Sequence, residues 1–150
     1  MKYDQILNSI SIEIYNFLTN DMNIRILKES SIEDFKLSMH TSLVEFTGNN
    51  CFKIIISVEE HLFNLLFDKI VTLEIEESQK EEFIDDLSNE ITNTIVGLAI
   101  RHFPLEYQSL VLGVPYKIDG DSLSKGNGFD IKKSFEIRTS VGYFTCSVAK

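Results

Sequence analysis

Residues 78–104 read SQKEEFIDDLSNEITNTIVGLAIRHFP, and the rest of the chain is best read outward from them. Ile84, Leu87, Ile91, Ile95 and Leu98 recur at the spacing of a helix face that packs on a core. Ser78 with Glu81 fits a capping box, in which each side chain satisfies an amide at the helix start. Phe103-Pro104 supplies the stop, because the residue before proline disfavours helical geometry. The spacing therefore predicts one long helix from Gln79 to His102. At about 100° per residue, Asp86, Glu90, Asn93 and Gly97 form a row, one per turn, on the side away from the apolar set.

A solvated helix face is the ordinary reading of such a row, and three details count against it. Asn93 is a mediocre helix former at a position where Lys, Glu or Gln would serve better. Gly97 costs about 1 kcal/mol relative to alanine in a helix interior, which suits a close approach by another backbone. Thr92 and Thr94 are small neighbours. The row reads as an acidic, amide-bearing ridge able to enter a partner's cleft.

Upstream, Tyr3, Ile6, Leu7, Ile10, Ile14, Phe17 and Leu18 predict a helix from Tyr3 to about Thr19. Strands are expected over Ile24 to Leu27, Leu37 to Phe46 and Cys51 to Val58, the last two joined by a hairpin at Gly48-Asn49-Asn50. Glu59 to Ile70 reads as a second helix with Leu62, Phe63, Leu66 and Phe67 inward, and Glu74-Ile75-Glu76-Glu77 as an acidic linker. Downstream come a strand over Leu110 to Ile118, a loop over Asp119 to Gly128, and a hairpin of Lys133 to Ser140 with Tyr143 to Val148 about Val141-Gly142. The order implies an α+β domain with helices on one face of a mostly antiparallel sheet, and 150 residues fit a single domain, 1–150.

The net charge of −9 argues against nucleic acid or an anionic membrane as the main partner and suits a partner with a basic rim. The apolar runs are too short to span a bilayer, and the N-terminus has no signal-peptide pattern, so the expected location is the cytoplasm. Cys51 and Cys146 read as buried, reduced thiols without a C-x-x-C pair, and no metal site is expected. His40, His61 and His102 are scattered, with His102 expected to pack on the core side of its helix.

Asp86-x3-Glu90-x2-Asn93 resembles the D/S-x3-E-x2-N signature of the CheC, CheX and FliY group of bacterial chemotaxis phosphatases. Gly97 keeps the glycine four residues on. Gly113-Val114-Pro115-Tyr116-Lys117-Ile118-Asp119-Gly120 looks like the G-x-P strand and glycine loop of CheX, and Phe135 to Phe144 is similar to that family's final hairpin. The resemblance, nearest to CheX, implies a CheX-like fold and hydrolysis of the aspartyl phosphate of a CheY-like response regulator. It implies that the Asn93 amide orients the attacking water, that Glu90 pairs with the regulator's lysine, and that Asp86 and Gly97 serve docking. It implies no cofactor of the chain's own, with Mg²⁺ supplied by the regulator, and a homodimer paired through its sheets. Thr92 stands where the family often has glycine, and its methyl is expected to crowd the regulator's phosphorylation pocket.

The first helix repeats the pattern as Ser9-x3-Glu13-x2-Asn16, a possible second site of the kind CheC-like members carry; a solvated face is the other reading. Two alternatives to the phosphatase remain open. One is a non-catalytic CheX-like module docking on a response regulator or related signalling protein, and the other a structural dimerisation domain.

Overall fold

Seven antiparallel strands organise the computed structural model, which describes residues 2–35, 37–71, 75–119 and 129–150. They are β1 (Ile26–Ile32), β2 (His40–Thr47), β3 (Phe52–Val58), β4 (Val111–Leu112), β5 (Tyr116–Lys117), β6 (Ile131–Thr139) and β7 (Tyr143–Ala149). Their order is β1-β6-β7-β3-β2-β4, with β5 also paired to β2. Among the described residues three α-helices accompany them: α1 (Tyr3–Asn16), α2 (Glu60–Ile70) and α3 (Glu77–Ala99). This is the expected α+β arrangement.

Alternation along the central strands sorts side chains between two faces. Val44 and Phe46, Ile54 and Ile56, and Phe144, Cys146 and Val148 share one core with Ile6, Ile10 and Ile14 of α1, Leu62, Phe63 and Leu66 of α2, and Ile91, Ile95 and Val96 of α3. On the other face Leu43, Ile55, Ile118 and Ala149 form a smaller cluster under Phe35, Leu37, Phe129 and Ile131. Helices cover one face of the sheet, and loop segments cover this part of the other.

Several boundaries move. The first helix passes into a π-helical turn over Phe17–Asp21, and the following strand runs Ile26–Ile32 rather than stopping at Leu27. The capping box does not form: α3 starts at Glu77, one residue before the expected cap, with no side-chain cap on its first amides. Glu59, by contrast, caps α2 with its carboxylate, accepting from the amides of His61 and Leu62. Gly48 at φ +131° and Asn50 at φ +62° make the expected turn after β2. The expected strand Leu110 to Ile118 divides into β4 and β5 around Gly113–Pro115. Most of the expected Asp119 to Gly128 loop, 120–128, lies outside the described residues, as does Glu74 of the acidic linker.

Candidate functional site

The α3 row faces outward. Asp86, Glu90, Asn93 and Gly97 are all exposed, while Leu87, Ser88, Ile91, Thr92, Ile95, Val96 and Ala99 are buried. The buried arc lies further round the helix than the apolar pattern alone suggests. Its small members Ser88, Thr92 and Ala99 leave room for neighbours, and Leu98, expected inside, is 44% exposed. Thr92 is also relocated: at 1% exposure its methyl belongs to the packed side, so it does not crowd the surface that carries Asn93. A Cβ on Gly97 would meet nothing within 4 Å, so that stretch of helix is bare backbone open to an approaching partner.

Asp86, Glu90 and Asn93 of this row belong to one wall of a groove of ≈ 570 Å³. Asp86, Asn89, Glu90 and Asn93 line it from α3, and Leu112, Gly113, Val114 and Pro115 line it from the bend between β4 and β5. Neither Asn89 nor this opposite wall stands out as a site in the sequence; a second mid-helix asparagine and the Gly-x-Pro triplet were the available signals.

Both walls are attached to β2. The Ser42 hydroxyl donates to Asn89 Oδ1 at 2.9 Å and lies 3.0 Å from Ser88 Oγ, which leaves Ser88 as the donor in that second bond. On the other side, Leu112 pairs with Phe46, the Gly113 amide donates to the Glu45 carbonyl at 2.8 Å, and Tyr116 pairs with Leu43. The Tyr116 hydroxyl donates to Glu45 Oε1 at 3.1 Å; burial, and then that carboxylate, raise its pKa above the ordinary value. Lys117 Nζ reaches Asp85 Oδ1 at 2.8 Å and ties β5 directly to α3.

On the exposed face of α3, Thr94 donates to Glu90 Oε1 across one turn at 3.4 Å. Among the described residues the Asn93 amide and the Asp86 carboxylate have no partner, so the amide's donor and acceptor are both available. No group of three or more His, Cys, Asp or Glu side chains among the described residues could hold a metal ion. No described helix is long and apolar enough to cross a membrane.

Residues 40–132, which include the whole of α3 and the groove, match the family model of the chemotaxis phosphatase CheX. The chain belongs to the CheX family. Its fold is that of solved CheX and CheC-like structures. The CheX of the CheX–CheY–BeF₃–Mg²⁺ complex from Borrelia burgdorferi is 18% identical with a TM-score of 0.68, covering 97% of this chain and 95% of that one. CheX from Desulfovibrio desulfuricans is 14% identical with a TM-score of 0.68 (97% and 99% covered). A CheC-like superfamily protein from Shewanella sp. PV-4 is 20% identical with a TM-score of 0.66 (97% and 96% covered). No curated protein matches the chain in sequence.

The second motif of this CheX-family chain is not presented as a row. Ser9 and Glu13 are each only 3% exposed, and Asn16 alone faces solvent. The Ser9 hydroxyl is directed at the carbonyls of Gln5 and His102, at 2.8 and 3.0 Å. Glu13 is held by Arg101 at 3.2 Å and His102 at 3.1 Å. These two positions fasten α1 to the turn that follows α3, which removes them from any docking surface. His102 is correspondingly half outside, not packed on the core side. Cys51 is exposed at its turn, and Cys146 is buried, with burial pushing its thiol pKa up.

Proposed function

We propose that the chain hydrolyses the aspartyl phosphate of a CheY-like response regulator, with α3 as the inserted element. The observation that carries this reading is the unpartnered Asn93 amide one turn from Glu90, on an exposed helix face lining a groove. Asn93 would hold a water in line with the acyl phosphate; an amide donates and accepts at once and does not ionise. Glu90 would pair with the regulator's active-site lysine and set the register of α3. Asp86 and Gly97 would serve the contact, the first as a rim charge and the second as clearance. The regulator would bring its own Mg²⁺, as the presence of Mg²⁺ in the Borrelia burgdorferi CheX–CheY complex supports.

The energetic demand is modest. A hundredfold acceleration requires about 2.7 kcal/mol of transition-state stabilisation. One well-placed hydrogen-bonding group supplies about that much. No general base of the chain's own is needed.

The test follows phosphate loss from phosphorylated CheY-type receivers in Mg²⁺. Asn93→Ala should lower kcat by a factor of about 100 or more while binding survives. Glu90→Lys should weaken binding by charge reversal. Full hydrolysis by Asn93→Ala would sink the mechanism, and survival of binding without hydrolysis in the unmodified chain would leave a docking module of the same fold.

We also propose that two copies pair through their sheets. Among the described residues β1 is bonded only to β6, so its outer edge is open, and Leu27 on it is 57% exposed. An open edge of this kind is a template for another strand.

A further inference from the structure

The proposed chemistry gives the groove's second wall no task, yet that wall is held on both sides of its tip. Its tip, Val114, is 85% exposed. A valine so exposed needs no explanation when it stands singly. This one stands between two fixed points. A Cβ on Gly113 would lie 3.0 Å from the Glu45 carbonyl oxygen, so a side chain there would press the bend away from β2. Pro115, on the other side, is buried, and its ring fixes φ. Beyond it, β5 is secured by the Tyr116–Glu45 hydrogen bond and the Lys117–Asp85 ion pair. An apolar side chain on a backbone already immobilised loses little entropy on binding, which favours it as an anchor.

We propose that Val114 is the apolar anchor for the phosphorylated receiver whose acyl phosphate Asn93 addresses. The inference rests on the reading of Asn93 and Glu90 given above. The chemistry of the two walls suits that occupant. Asp86 and Glu90 on one wall call for a cationic side chain, and Val114 on the other calls for an apolar one beside it. Contact at Val114 would exclude water from the Glu90 ion pair, strengthening it by lowering the local dielectric. It would also select among receivers: one presenting a charged side chain opposite Val114 would have to desolvate it without compensation.

The experiment uses the whole chain and a CheY-type receiver, loaded with beryllofluoride and Mg²⁺ for titration and phosphorylated for turnover. Val114→Ser should weaken binding roughly tenfold and raise KM by a similar factor, with kcat at saturation unchanged. Leu105→Ser supplies the control: Leu105 is equally exposed at 85% but lies outside the groove, so neither binding nor KM should change. Unchanged binding by Val114→Ser, or an equal loss in Leu105→Ser, overturns the anchor. The two readings fail separately. Undiminished turnover by Asn93→Ala removes the catalytic assignment, while the titration still decides Val114 on binding alone. If the unmodified chain binds no receiver, both readings fall.

Discussion

The His40 imidazole lies flat on the Phe63 ring, with centroids 3.8 Å apart and planes 7° from parallel, and is only 6% exposed. Burial lowers its pKa below the ordinary value; among the charges around it, Glu60, Asp85 and Glu59 oppose that shift and Lys117 adds to it. A histidine that resists protonation when folded binds more protons when unfolded. Stability therefore holds above the unfolded value of about 6.5 and declines as pH falls from there towards the folded pKa. His40→Phe, which keeps the stacked ring and removes the titration, should flatten the fall in melting temperature between about pH 7 and pH 5. An unchanged slope in thermal melts across that window would show that another group sets it. At this scale the sequence spoke unevenly. Spacing located Asp86, Glu90 and Asn93 relative to one another, and the structure exposes all three. The same spacing at Ser9, Glu13 and Asn16 was silent about which way the row turns, because that depends on Arg101 and His102 from another helix.

Among the elements, α2 depends on a residue in a distant hairpin. Glu59 caps its first turn, and the carboxylate occupies space that only glycine at 142 leaves: a Cβ there would stand 2.0 Å from Glu59 Oε2 and 2.9 Å from Leu62 Cβ. Gly142→Ala should expel the carboxylate and press on the buried Leu62, a lost cap and a local overpacking together costing about 1–3 kcal/mol. Thermal or urea unfolding would measure it, and a variant as stable as the parent would show that the hairpin shifts freely. The second hairpin was legible from its alternation and turn residues, but not this reason for its glycine. The sequence pattern places β1 over Ile24 to Leu27 because Lys28, Glu29, Ser30 and Ser31 lack the apolar alternation of a half-buried strand; pairing with β6 makes them a strand, not their own pattern. The break between β4 and β5 was likewise hidden, since Gly113–Pro115 lies within an otherwise strand-like run.

For the whole molecule, the order of helices and strands sufficed for the α+β class, whereas the sheet order did not follow from it. Bringing β1 beside β6 joins segments from opposite ends of the chain, and local periodicity carries no record of such pairings. The outer edge of β1 leads to a prediction about assembly. Light scattering should give a molar mass twice that of one chain, and Leu27→Lys, placing a charge on the open edge, should shift the population towards the single chain. A concentrated sample of the parent that scatters as a monomer would end the proposal.

The two walls of the groove hang from the same strand, and β2 is itself bonded along its length to β3. Such a site behaves like a calliper set to one opening, since neither jaw can move towards the other without disturbing its bonds to β2. If the groove receives a response regulator, discrimination between the phosphorylated and unphosphorylated forms must then reside in the regulator. The CheX-family chain would contribute a gauge of fixed width, and signalling state would be read by whether the other protein has taken a shape that fits it.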